Sequence, residues 1–128
     1  MNKAYLITAA ALGAASVMLG AFGAHGLKTR MNAEAFDIFE TAVKYQFYHV
    51  FALLAVGIIS QYIPNNFMTW SGRCFIAGII LFSGSLYLLS FFKMEGNTHM
   101  NWLGAVTPFG GLCFIAGWIL LAIAVLRS

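Results

Sequence analysis

Charged side chains are scarce in this sequence: they make up 9% of the residues, whereas ordinary soluble domains carry roughly 25%. The cations are scattered and form no basic run, so a net charge of +3 does not indicate nucleic-acid binding. No Ser/His/Asp arrangement, pair of catalytic carboxylates or phosphate-cradling glycine loop is present. The sequence therefore predicts no catalytic residues and no enzyme.

Cysteine is rare as well, with two residues in the whole chain. Cys74 and Cys113 both lie in apolar segments that should place them at different depths, which disfavours a disulfide between them. We interpret both as small apolar fillers. No Cys-x-x-Cys pair indicates a metal or redox site, so no metal and no cofactor are expected.

Long apolar runs dominate what is present, with 61% hydrophobic residues. Residues 4–24 contain no charge, and three further apolar segments follow. A helix of about 20 such residues crosses the roughly 30 Å hydrocarbon core of a bilayer. The first run is longer than the ~7–15-residue core of a secretory signal, so we interpret it as a retained span. Residues 1–128 are therefore expected to form one domain, an all-α integral membrane four-helix bundle.

A segment starting near Asn32 should form an amphipathic helix between spans one and two, because its apolar and polar residues fall on opposite sides. It either lies at the interface or continues into the second span as one long helix. Small residues recur on one face of the first span and predict close helix packing, above all at Gly13, Gly20 and Gly23. In the last span, Pro108 followed by Gly111 predicts a kink.

Ionisable residues within a membrane are costly, so they are the first candidates for a functional site. The candidate polar pocket, at one membrane interface, consists of His25, Lys44, Tyr45 and His49. Such a pocket would bind a headgroup, a quinone or a cation, or relay protons; alternatively, these residues anchor the amphipathic helix by hydrogen bonds. Haem ligation by two facing histidines is a further, less favoured alternative.

A second group of polar residues is expected to form hydrogen bonds between helices rather than bind a substrate. These candidate interhelical contacts are Gln46, Ser83, Ser85, Tyr87 and Thr107. Small residues on other faces, such as Gly78 with Ser85 or Gly110 with Gly117, are candidates for contacts between subunits.

Four motifs occur together in this order: GAFGAHGL from Gly20, YQFYH from Tyr45, FSGSLY from Phe82 and TPFGG from Thr107. With them the full chain resembles a small membrane protein family of unknown function that includes eukaryotic transmembrane protein 256 and bacterial inner-membrane relatives. The resemblance implies a four-span helical protein of the bacterial inner membrane and supplies no activity, substrate or cofactor.

The sequence thus favours a structural or accessory membrane protein with membrane lipid as its main partner. It would form a homo-oligomer or accompany a larger membrane complex. The alternative is small-molecule, quinone or cation binding, or transport, through the His/Tyr pocket.

Overall fold

The computed structural model describes residues 1–128 and contains four helical spans, each long and apolar enough to cross a bilayer. The helices are α1 (Lys3–Phe22), α2 (Ala33–Ile59), α3 (Asn66–Gly78), α4 (Gly84–Met94) and α5 (Leu103–Leu126). A π-helical turn, Gly23–Leu27, ends the first span, and a second, Ile79–Ser83, joins α3 to α4 within the third span. The all-α, four-span fold expected from hydropathy is confirmed.

Asparagine side chains cap the start of three helices. Asn2, Asn32 and Asn65 each accept a hydrogen bond from the backbone N–H three residues further on, at 3.1, 2.8 and 3.0 Å. Such a cap satisfies one of the unpaired donors of the first turn and stabilises a helix by about 1 kcal/mol. These capping asparagines therefore fix where the three helices begin.

The amphipathic segment is the first half of α2 rather than a separate helix. Its charged face, with Asp37 and Lys44, is exposed, and Phe39 and Ala42 on the other face are buried. The 27 residues of α2 span about 40 Å at 1.5 Å per residue, more than the roughly 30 Å of the hydrocarbon core. The first turns of α2 can therefore reach the headgroup region while the rest of the helix crosses the membrane.

The small-residue face of α1 packs against α2. A Cβ added to Gly13 would lie 3.4 Å from the Val50 side chain, and one added to Gly23 would lie only 2.6 Å from the Phe39 ring. Gly23 therefore leaves the space that the ring occupies. These two pairings show that α1 and α2 run antiparallel, and they fix which residues lie at the same depth.

Glycines bring the third span and α5 into equally close contact. Each faces a phenylalanine of the other span: Gly78 faces Phe114, Gly110 faces Phe82 and Gly117 faces Phe75. A Cβ at any of them would overlap its neighbour, and at Gly110 the neighbour includes backbone atoms. The expectation that these glycines serve contacts between subunits is corrected, because packing within the protomer already covers them.

α5 continues through Pro108 as one helix, although proline has no N–H to donate to the carbonyl of Gly104. Pro108 is exposed on the outer side. Gly111 is half-buried, and a Cβ there would be in ordinary contact with Phe82, at 4.0 Å. The proline therefore interrupts hydrogen bonding without ending the helix, and the kink stays a prediction.

α2 and the third span form the centre of the molecule. α1 packs chiefly on α2, and α5 packs chiefly on the third span. The largest fully buried apolar side chains of the main core are Phe75, Leu53, Met68 and Val56. The outer faces of α1 and α5 are consequently left for lipid or for another chain.

Candidate functional site

His49 belongs to α2, and its side chain is buried between this helix and α5. Its Nδ1 is 2.7 Å from the carbonyl oxygen of Tyr45, and its Nε2 is 3.1 Å from the indole Nε1 of Trp118. Because a carbonyl only accepts and an indole N–H only donates, these contacts assign the neutral ring with its proton on Nδ1. The ring also stacks on Phe114, with centroids 3.5 Å apart and planes 7° apart. Both nitrogens of His49 are thus engaged by the protein itself.

Tyr45 lies on the outer side of this region. Its ring is 4.7 Å from that of Phe82 and 5.6 Å from that of Tyr48, measured between centroids. The exposed fractions of Tyr45 and Tyr48 are 40% and 56%. These tyrosines therefore form an aromatic surface on α2, next to the third span, rather than the wall of an enclosed pocket.

The structure does not bring His25 and His49 together. Gly23 lies level with Phe39, and Gly13 lies level with Val50, so His25 is about 11 residues away from the level of His49. At 1.5 Å per residue this is about 16 Å along the helix axis. His25 is also exposed, within the first π-helical turn, whereas His49 is buried. The expectation that His25 and His49 share a pocket is therefore wrong, and so is the alternative that they face each other as haem ligands. The spacing of residues along one helix predicts the direction of a side chain, but it does not predict which residues of another helix lie at the same depth.

Lys44 borders a small crevice of about 110 Å³ between the end of the first span and the first half of α2. Gly20 leaves open space, the Phe39 ring packs over Gly23 and borders it, and Lys44 and Glu40 are the charged residues along it. The complete lining is Gly20, Gly23, Ala24, Phe36, Phe39, Glu40, Val43 and Lys44. Of the four residues predicted for the polar pocket, Lys44 lines this crevice. His25 does not line it, but it follows the lining residue Ala24 in sequence.

A chain of hydrogen bonds joins three helices in the interior. The Tyr87 hydroxyl donates to Oε1 of Gln46 at 2.6 Å, and Nε2 of Gln46 donates to the carbonyl of Leu12 at 3.1 Å. The Ser16 hydroxyl donates to the same carbonyl at 2.7 Å. This chain connects α4 to α2 and α2 to α1.

The three remaining polar residues also form hydrogen bonds between helices. Ser83 donates to the carbonyl of Ala42 at 2.7 Å, which ties the second π-helical turn to α2. Ser85 and Thr107 share a hydrogen bond of 2.7 Å between α4 and α5. All five residues selected as interhelical contacts therefore bond to another helix.

Sequence reasoning missed three residues of these sites. Trp118 is the partner of His49, Ser71 donates to the carbonyl of Gly117 at 2.7 Å, and Glu40 lines the crevice. Ser71 lies in the second turn of α3 and is buried. The four-residue spacing of Phe114 and Trp118 was the one available signal, since it puts both on the same face of α5.

Every buried side-chain nitrogen or oxygen in the structure has a hydrogen-bond partner. No three His, Cys, Asp or Glu side chains lie close enough together to hold a metal ion, and both cysteines are free. The geometry of the interior is thus that of helix-to-helix hydrogen bonding.

Comparison with known proteins places the chain among bacterial membrane proteins. A family model described as "Protein of unknown function (DUF423)" matches residues 19–111. A UPF0382 membrane protein of Staphylococcus haemolyticus is 41% identical over 125 residues, which cover 98% of this chain and 97% of the relative. The UPF0382 membrane protein YwdK of Bacillus subtilis is 37% identical over 126 residues, 98% of each chain. A UPF0382 membrane protein of Haemophilus influenzae is 41% identical over 128 residues, covering 100% and 98%. No solved structure matches the chain.

Proposed function

Because this chain belongs to the DUF423 family, whose relatives are named only as UPF0382 membrane proteins, we propose its role from its own geometry. It is a multi-pass protein of the bacterial cell membrane, as its four spans and its relatives' names show. Within that membrane it acts as a structural, non-catalytic component. It binds lipid, and it self-associates or accompanies a larger membrane complex.

The observation that supports a structural role is that the interior polar side chains form hydrogen bonds between helices. Gln46, Tyr87, Ser83 and His49 each join one helix to another through hydrogen bonds. Such bonds within a membrane contribute about 0.6 kcal/mol on average and up to about 1.7 kcal/mol each. Together they favour one fixed arrangement of the helices.

The outer face of α1 is the surface that we propose for contact between copies. Its exposed residues recur every three or four positions and include Ala10, Ala14 and Ala21. Small residues allow two helices to approach closely in lipid, where dispersion and weak hydrogen bonds drive association. The first span is also the least enclosed one. In its most apolar 18-residue segment 17% of the residues are buried, whereas the corresponding value for α2 is 50%.

The oligomeric state tests this proposal. The protein should purify in mild detergent as a dimer or larger assembly, measured by light scattering, and should show the same subunit number by photobleaching in liposomes. Ala14→Leu should shift the assembly toward monomer, because the larger side chain separates the helices. Ala122→Leu is the matched control, since Ala122 is also exposed but lies on α5. A wild-type monomer in both settings, with no co-purifying protein, would contradict self-association and accessory packing alike.

The alternative, binding or transport through a His25/His49 pocket, is not proposed. The two side chains lie at different depths, and both nitrogens of His49 are engaged by Tyr45 and Trp118. A small-molecule ligand that stabilised the wild type against heat, but not His49→Ala, would reinstate this alternative.

A further inference from the structure

The crevice between the first span and α2 has an apolar floor, because two of the residues that line it are glycines and expose apolar neighbours. Gly20 and Gly23 contribute no Cβ, so the Phe39 ring and the Val43 side chain border the open volume of about 110 Å³. An apolar cavity of about 150 Å³ holds a molecule the size of benzene. The crevice is therefore large enough for a few methylene groups of an acyl chain, though not for a whole chain.

Two opposite charges border the same crevice. Glu40 and Lys44 are exposed and one helical turn apart on α2. Residues four apart on a helix can form an ion pair, but Glu40 and Lys44 do not form one with each other. The one ion pair in the structure joins Lys93 to Glu34 at 3.0 Å. The carboxylate of Glu40 and the ammonium of Lys44 are thus both available to a ligand that carries charges of both signs.

The depth of the crevice matches the lipid headgroup region. Glu40 lies 19 residues before Ile59, the last residue of α2, which is about 28 Å along the helix and close to the roughly 30 Å thickness of the hydrocarbon core; Lys44 lies one turn nearer the membrane centre. Tyr62 is exposed at the end of the second span, where aromatic rings favour the interface. Lys44 and Glu40 therefore lie near the opposite interface, where phosphate and amine groups of lipids are found.

We propose that this crevice binds a phospholipid with a phosphoethanolamine headgroup. The lipid phosphate lies against the Lys44 ammonium, and the lipid ammonium donates hydrogen bonds to the Glu40 carboxylate. The first carbons of one acyl chain fill the space beside Gly20, between Val43 and the Phe39 ring. The inference rests on the lipid binding in the proposed function, and it names the lipid class and the residues.

Native mass spectrometry of the detergent-purified protein tests the inference, with phosphatidylethanolamine, phosphatidylcholine and phosphatidylglycerol of identical acyl chains as probes. Choline has no N–H to donate to Glu40, and glycerol carries no positive charge. Phosphatidylethanolamine should bind about tenfold more tightly than either, as expected for one or two charge-assisted hydrogen bonds. Glu40→Gln should remove this preference, whereas Lys44→Gln should weaken the binding of all three lipids, because each of them carries a phosphate.

Two glycine variants test the apolar part of the site. Gly20→Ala places a methyl group in the crevice, at an ordinary 3.6 Å from Val43, and should weaken binding of phosphatidylethanolamine. Gly13→Ala is the matched control, because it adds the same methyl group to the same face of α1, 3.4 Å from Val50 and outside the crevice. Thermal unfolding of both variants at the wild-type temperature shows that the fold is intact.

Equal binding of the three lipids would overturn the inference, as would a preference that survives Glu40→Gln or a binding strength that Lys44→Gln leaves unchanged. A preference for phosphatidylglycerol that depends on Lys44 but not on Glu40 would assign a simple anionic lipid instead. The oligomeric state is read in the same spectra. An intact oligomer without lipid preference contradicts only this inference, whereas a monomer that keeps the preference contradicts only self-association.

Discussion

Removing the Tyr87 hydroxyl is the sharpest test of the interior hydrogen bonds. Tyr87→Phe keeps the ring, whose centroid is 5.5 Å from that of Phe39, and deletes only the donor that lies 2.6 Å from Oε1 of Gln46. Gln46 is buried, so its oxygen would be left without this partner in an apolar setting. Measured couplings inside membranes reach about 1.7 kcal/mol, and an unsatisfied buried acceptor costs about 1–3 kcal/mol. We therefore expect a loss of about 1–2 kcal/mol in the free energy of unfolding.

Tyr48→Phe is the matched control, since it makes the same chemical change on a side chain that is 56% exposed. Its hydroxyl forms no hydrogen bond within the protein, so unfolding in bicelles by steric trapping should show almost no change. Adding Gln46→Met to Tyr87→Phe completes a double-mutant cycle, with an expected coupling of about 0.6–1.7 kcal/mol. Equal effects of Tyr87→Phe and Tyr48→Phe, or a coupling near zero, would refute the reasoning.

Three further predictions concern packing, a second hydrogen bond and the ion pair. Gly110→Ala should prevent stable folding or lower the melting temperature sharply, because its Cβ would overlap backbone atoms of the third span; Gly104→Ala, with open space around it, should be tolerated in the same thermal assay. Ser71→Ala should cost about 1 kcal/mol in steric trapping, because it removes a buried 2.7 Å hydrogen bond, and an unchanged value would contradict that role. Glu34→Gln should cost less than about 1 kcal/mol, and the difference should vanish in about 0.5 M salt, because the pair with Lys93 is exposed; a larger, salt-insensitive loss would contradict this.

Which polar residues join helices could be selected from the sequence, but their partners could not. A polar side chain within a long apolar run must find a hydrogen-bond partner, and this requirement singles out Gln46, Ser83 and Tyr87. Two of the acceptors are backbone carbonyls, of Leu12 and Ala42. Every residue has a carbonyl, so no sequence pattern marks these two.

Depth was the other property that sequence spacing could not give. His25 and His49 each belong to a motif, but their separation along the bundle depends on the antiparallel register of α1 and α2, which Gly23 and Phe39 help to set. Likewise, the π-helical turn Ile79–Ser83 lies in an unbroken apolar run and changes the direction of the side chains that follow it. Hydropathy therefore predicted the spans, and side-chain packing between the spans decided which polar groups meet.

The hydrogen-bonding state of the His49 ring tests the central claim, that the interior polar groups bind one helix to another. ¹⁵N solid-state NMR of the protein in bilayers, labelled at histidine and tryptophan, reads both ring nitrogens directly. The structure predicts a protonated Nδ1, an unprotonated Nε2 and a through-space contact between Nε2 and the indole N–H of Trp118. A ring protonated on Nε2, or one without the contact to Trp118, would contradict it.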